Sequence, residues 1–294
     1  MSSSKPNILQ RIEELIPQCS KKQKNLADFI LSDYKNAAFM NSVQLGNQAH
    51  VSNATVIRFA SMLGYDGFNQ MQQDLQAMLQ QELSSVDRVT FLKEVNHKKA
   101  LNSDDRLAIF YHEQNNLKNT LQNLNPIRIS DAAKKIVSAD SVVVSGFQAS
   151  QCLAEYLQYS LSKIKKNVHR FPCWNLDAHS FTETRTDSCT AVVIALSRYP
   201  NDVIKFVKHF SEKGISIILL VDNIQTFPCS EMADIVIEIP VTYYSYVDPF
   251  SSVFCLINSL LLEVIHLDPQ KARESMESFE KYAVENHIYY SSKK

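Results

Sequence analysis

One short run of side chains has the types and spacing to read a nucleic-acid duplex. Asn53, Ala54, Arg58 and Ser61 fall on one side of a helical period, with Thr55 near the edge. A helix laid in a major groove needs such a face, because bulky residues would hold it off the base edges. Ser52 stands where an N-cap belongs, which puts its hydroxyl and the first free N–H groups near a phosphate. Asn53, Thr55 and Arg58 are the groove-facing candidates, Arg58 to a guanine edge or to a phosphate. An ordinary helical hairpin with a solvated polar face shows the same period, so spacing alone leaves both readings open.

Other reactive residue types are scattered. Proton-transfer chemistry needs a general base, and His169, His179 and Glu183 are candidates by sequence neighbourhood. Structural or exposed roles account for each of them as well. Six cysteines, at 19, 152, 173, 189, 229 and 255, never form a C-x-x-C pair. They read as free thiols of a reducing cytoplasm. Cysteines and histidines together show no metal-ligand spacing, so neither a metal nor a cofactor nor a catalytic residue is expected.

The elements around the candidate helix follow from period and caps. Ile8 to Ile16 carries an apolar stripe and stops at Pro17. Ser20-Lys21-Lys22-Gln23 is a capping-box pattern opening a helix with Leu26, Phe29 and Ile30 inside. Ser42 is the expected cap of the next short helix, in which Leu45 and Ala49 share a face, and Val51 plugs the turn. In the candidate helix Val56, Phe59, Ala60 and Leu63 point inward, and Gly64 makes a left-handed stop. Phe68, Met71, Leu75 and Leu79 continue as a longer helix. The expectation is a bundle of about five helices.

Charge is only permissive. The chain carries 30 Lys and Arg against 31 Asp and Glu, formal net charge −1. Residues 1–80 hold Lys or Arg at 5, 11, 21, 22, 24, 35 and 58 and Asp or Glu at 13, 14, 28, 33, 66 and 74, a net +1. DNA affinity rests largely on phosphate contacts, so Lys21, Lys22 and Lys24, clustered at a helix start, are candidate backbone contacts. A dimer would double that footprint. No apolar run is long enough for a membrane span, and the N-terminus lacks the apolar core of a secretory signal.

Beyond Glu82 the period fades through Asn96-His97-Lys98-Lys99, with a helical turn expected around Phe91 and Leu92. It returns from Arg106 to Leu124. After Ile127 helices alternate with short apolar runs: Ser141 to Ser145, Val168 to Phe171, Thr190 to Leu196, Ile215 to Val221 and Ile235 to Ile239. Helical patterns at Ala149 to Ile164, Asp202 to Lys213 and Phe250 to Leu267 separate them. Runs apolar on both sides suit a doubly wound, five-stranded parallel sheet flanked by helices. Ligands of such sheets sit beyond the carboxyl ends of the strands, at the switch point.

The stretch VSNATVIRFASMLGYDGFNQM resembles the signature of the RpiR (MurR/RpiR) family of bacterial transcription regulators. Val51, Ser52, Thr55, Val56, Arg58, Phe59, Leu63, Gly64, Tyr65, Gly67 and Phe68 stand at its positions. Residues 129–283 are similar to the sugar isomerase (SIS) domain that follows the DNA-binding domain in that family. Val144-Ser-Gly-Phe-Gln-Ala-Ser150, Asn167-Val168-His169, the Thr190 to Ser197 run and Met232-Ala233-Asp234 carry that likeness. The resemblance implies a two-domain α plus α/β chain: a helix-turn-helix domain over 1–81, a linker and connecting helix over 82–126, and a SIS-like domain over 127–294. It further implies a cytoplasmic, non-enzymatic regulator of carbohydrate genes, a homodimer or dimer of dimers on operator DNA, with a sugar-phosphate effector and no membrane partner.

SIS domains that bind sugar phosphates use two loops, resembling G-x-G-x-S after the first strand and S-x-S-G-x-T after the third. Here the first keeps Gly146 and Ser150 but has Gln148 at the second glycine. The second reads Ser197-Arg198-Tyr199-Pro200-Asn201-Asp202, with neither the glycine nor the threonine. Two readings follow. Ser145, Gln148, Ser150, Ser197 and Arg198 form a modified anion site in which Arg198 replaces backbone donors, or the pocket has lost its ligand and the domain only dimerises. A SIS-type isomerase carrying a vestigial helical domain is the alternative of another class.

Overall fold

The computed structural model describes residues 7–82, 86–88, 105–183, 188–243 and 246–290. The turn expected at Phe91 and Leu92 lies outside them. The chain divides into two compact units, Met1–Phe110 with Thr242–Asp248, and Tyr111–Val241 with Pro249–Lys294. Among the described residues no single helix is long and apolar enough to cross a membrane.

The first unit is helical: α1 (Ile8–Leu15), α2 (Lys21–Ser32), the single turn α3 (Tyr34–Ala37), α4 (Ser42–Gln48), α5 (Asn53–Met62) and α6 (Phe68–Glu82). Caps set the boundaries. Asn7 with Gln10 and Ser20 with Gln23 close reciprocal capping boxes at α1 and α2. At α4 the cap is Asn41, not Ser42. Its Oδ1 accepts from Val43 and Gln44 N–H while the Gln44 side chain accepts from the Asn41 N–H. Asparagine with glutamine three residues on satisfies two orphan donors, and Ser42 has no such partner in register. Ile12, Leu26, Ile30, Leu45, Val56, Phe59, Met71 and Leu75 form one fully enclosed core.

The second unit begins in α7 (Asp105–Asn123) and α8 (Pro126–Ser138), then runs β1 (Ser141–Gly146), α9 (Gln151–Ser162), β2 (Val168–Arg170), α10 (Leu176–Glu183), β3 (Cys189–Ala195), α11 (Asn201–Glu212), β4 (Ser216–Val221), β5 (Ile235–Glu238), α12 (Ser251–Leu267) and α13 (Pro269–Glu285). All five strands are parallel, in the order β2-β1-β3-β4-β5. Alternate residues divide between two cores, as a pleated strand demands. Val142, Val144, Val192, Ile194, Ile218 and Leu220 face α8, α9 and α12. Val143, Ala191, Val193, Ile217, Leu219 and Val221 face α11, through Val203, Phe206, Val207 and Phe210. Chain order reverses between β1 and β3, so the loops leaving these neighbouring strands form the mouth where a ligand would sit.

Candidate functional site

The DNA-reading candidate is α5, and its two ends are fixed independently. At the N-terminus Ser52 Oγ accepts from Thr55 N–H at 3.3 Å and pairs with Thr55 Oγ1 at 2.9 Å. The preceding turn puts His50 at φ +52, while Val51 N–H reaches back to Gly46 O at 2.8 Å. At the C-terminus Gly64 takes φ +85, the left-handed stop expected of it. There Arg11 donates to the Leu63 carbonyl and, at 3.0 Å, to Tyr65 Oη, while its guanidinium lies 4.5 Å from the Tyr65 ring centre. Tyr65 in turn donates to Asp74. Burial, with Asp74 adding to it, pushes the Tyr65 phenol up, so it remains a donor. One face of α5 is wholly internal, because Val56, Phe59 and Ala60 are fully buried.

The outward face carries Asn53, Ala54, Arg58 and Ser61, all exposed. Thr55 is not on it. It is buried and its hydroxyl is held by Ser52, because the first turn of a capped helix folds residue N3 back onto the cap. Ile57 stands on the face instead, 44% exposed. The signal for it was present, since Ile57 falls one turn after Asn53, but an apolar residue is ordinarily counted toward the core. Arg58 Nε donates to Ala54 O at 3.2 Å, which lays its guanidinium along the outer surface. Lys21, Lys22 and Lys24 are exposed on α2. Gln23 Nε2, between them, contacts Met62 Sδ at 2.9 Å, so this basic turn borders the C-terminal end of α5.

At the mouth of the sheet the five candidates differ in exposure. Ser145 is fully buried in β1 and its hydroxyl donates to Phe171 O at 3.4 Å, so it braces β2 and does not reach the mouth. Ser150 and Ser197 are buried too, while Gln148 and Arg198 are exposed. Gly146 cannot carry a side chain: a Cβ there would lie 2.5 Å from Ser150 O. Gln148, at the position of the missing glycine, nevertheless holds φ +53. The loop has kept a glycine's backbone under a larger residue, a strain of about 1 kcal/mol. Gln148→Gly should therefore leave the fold intact and raise unfolding stability by no more than about 1 kcal/mol, the relief being partly offset by unfolded-chain entropy; urea denaturation reads this.

The second loop is closed by a contact that sequence reading missed. Tyr199 Oη donates to Asp222 Oδ1 at 2.8 Å and lies 2.8 Å from Thr226 Oγ1, while the Ser197 N–H donates to Asp222 Oδ2 at 3.0 Å. Burial and the Asp222 charge push the Tyr199 phenol up, so the bond does not titrate. Pro200, which lacks an N–H, precedes α11, and Asp202 occupies its first turn. A carboxylate there takes the place of an anion at the helix dipole. Among the candidate bases, His169 packs on Phe181 at 5.0 Å between ring centres, and His179 and Glu183 lie one turn apart on α10.

Comparison with known proteins agrees with this two-part organisation. Residues 6–85 match the model of the helix-turn-helix domain, rpiR family, and residues 135–261 match that of the SIS domain. An uncharacterized HTH-type transcriptional regulator of Providencia stuartii is 24% identical over 72% of this chain and 73% of its own. Another, from Clostridium perfringens, is 24% identical over 74% and 76%. The Vibrio vulnificus NanR protein, determined in complex with ManNAc-6P, superposes with TM-score 0.56 at 18% identity, covering 95% of this chain and 98% of that one. The sugar isomerase domain of an RpiR transcription factor from Sphaerobacter thermophilus gives TM-score 0.55 at 20% identity, covering 61% and 99%. With a helix-turn-helix domain model matched over 6–85 and a SIS domain model over 135–261, this protein belongs to the rpiR family of helix-turn-helix transcriptional regulators that carry a SIS domain.

Proposed function

We propose that the first unit binds operator DNA as half of a two-fold dimer, with α5 in the major groove. The exposed face of α5 carries this reading, because Asn53, Ala54, Ile57, Arg58 and Ser61 project from a helix whose other side is sealed. Arg58 reads a guanine edge or holds a phosphate, Asn53 contacts a base edge, and Ile57 meets a thymine methyl. Ser52 and the first N–H groups sit near a phosphate, as do Lys21, Lys22 and Lys24. Arg58→Ala is expected to weaken operator binding by about 1–3 kcal/mol, read by fluorescence anisotropy at fixed salt.

The second unit dimerises the protein and, in this proposal, takes a phosphorylated sugar without turning it over. Its NanR neighbour, of the same fold, was determined with ManNAc-6P, and Arg198 and Gln148 are exposed at the corresponding switch point here. Arg198 would grip the phosphate as a charged fork. A second reading, a DNA-binding dimer without effector, is favoured by the Tyr199–Asp222 bond and by Pro200 and Asp202 at the start of α11. Thermal-shift screening with sugar phosphates beside the free sugars separates them. Stabilisation by the phosphorylated compounds alone, lost in Arg198→Ala, supports the effector reading. No shift with any of them supports the second.

A further inference from the structure

On the α11 side of the sheet, apart from the mouth, two helices bring three metal-binding side chains together. His179 and Glu183 are one turn apart on α10, with His179 Nε2 3.9 Å from Glu183 Oε1. His209 comes from α11, its ring centre 4.8 Å from that of His179 and tilted by 32°. The potential ligand atoms of all three lie within 4.8 Å of one another. His179 and Glu183 are exposed and His209 is half-buried.

We propose that His179, Glu183 and His209 bind a divalent transition-metal ion of the zinc class, which ties α10 to α11. Two imidazoles and a carboxylate are the donor set that zinc takes in open, three-ligand sites, with a position left for water. Ligands about 2.1 Å from a tetrahedral ion stand roughly 3.4 Å apart, so these side chains must draw in by about 1–2 Å, which exposed rotamers on helix surfaces allow.

Thr182 Oγ1 lies 2.8 Å from His179 O and 2.7 Å from His209 Nε2. With its proton on the carbonyl it accepts from His209 Nε2–H, the tautomer that keeps a lone pair on Nδ1 for a metal. Trp174 packs edge-on against the same ring, 5.0 Å between centres. Lys213, one turn after His209, places Nζ 2.6 Å from Glu183 Oε1. A cation already occupies the carboxylate, and a divalent ion would displace it.

The test is direct titration of the chelator-stripped full-length protein with Zn²⁺ and with Co²⁺, whose spectrum distinguishes nitrogen and oxygen from thiolate ligands. One equivalent per chain is expected, with a nitrogen and oxygen spectrum. His209→Ala and the exposed-site change Glu183→Gln should each weaken it by more than tenfold, a loss of the size that even outer contacts to a metal produce. Lys213→Ala should tighten it. Circular dichroism of each variant separates loss of the site from loss of fold. Unaltered affinity in a His179→Ala/Glu183→Gln protein, a thiolate spectrum, or no binding by the wild-type chain would each overturn the proposal.

Discussion

Gly46→Val is expected to lose specific operator binding by about 100-fold while the second unit stays folded. A Cβ at residue 46 would lie 2.8 Å from Val51 O and 3.5 Å from both Ser52 C and Val56 Cγ2. The nearest atom is a backbone oxygen and has no rotamer to change, so the turn between α4 and α5 must open. Overpacking of this kind costs about 1–3 kcal/mol, and valine adds two methyl groups beyond the Cβ. The same movement tilts α5 relative to α2 and disturbs the Val51 N–H bond to Gly46 O. About 3 kcal/mol corresponds to roughly 100-fold in affinity. Gly67→Ala is the matched control, because a Cβ there meets nothing within 4 Å. It should change stability by less than about 1 kcal/mol. Anisotropy titration of an operator duplex, beside circular dichroism, measures both.

Asp222→Ala should destabilise the second unit by about 2–4 kcal/mol, seen as an earlier urea transition. Asp222 is 2% exposed and accepts from the Ser197 N–H and from Tyr199 Oη. Hydrogen bonds to a charged group contribute about 1.5–3 kcal/mol each, and removing the acceptor strands buried donors. Relief from holding a carboxylate out of water offsets part of that loss. Tyr199 also reaches Asn223 O and Thr226 Oγ1, so the phenol keeps other partners. Asp222→Asn, which retains an acceptor, should lose about half as much. The loop over 197–200 would loosen, and any effector held by Arg198 would bind less tightly.

The sheet was legible because β1, β3 and β4 are apolar on both sides and every other residue enters a different core. β2 is only Val168–Arg170 and edge-exposed, and the apolar run ending at Phe171 overstated it. Helix ends carried by local chemistry were readable too, as at Ser20 and Gly64. Where two polar residues compete for one cap, as Asn41 and Ser42 do, only the side-chain register at Gln44 decides. The helix over 151–162 begins two residues later than its period suggested because Gln148–Ser150 forms a 3-10 turn. Helices α10 and α13 lay in stretches whose apolar spacing is weak.

Site residues were harder for a related reason. Thr55 has the type of a groove residue, but its hydroxyl is spent on Ser52. Arg11 meets Leu63 and Tyr65 across more than fifty positions of sequence, and Tyr199 meets Asp222 across 23. The grouping of His179 and Glu183 with His209 joins two helices. No spacing rule records such contacts, because they depend on how α10 and α11 pack against the sheet.

The most direct measurement is a footprint of the full-length protein on the DNA flanking its own coding region. Two protected half-sites centred about one helical turn apart are expected, both lost in an Asn53→Ala/Arg58→Ala protein that remains folded. Absence of any protected site, or protection unchanged in that variant, would contradict the assignment of α5 to the groove.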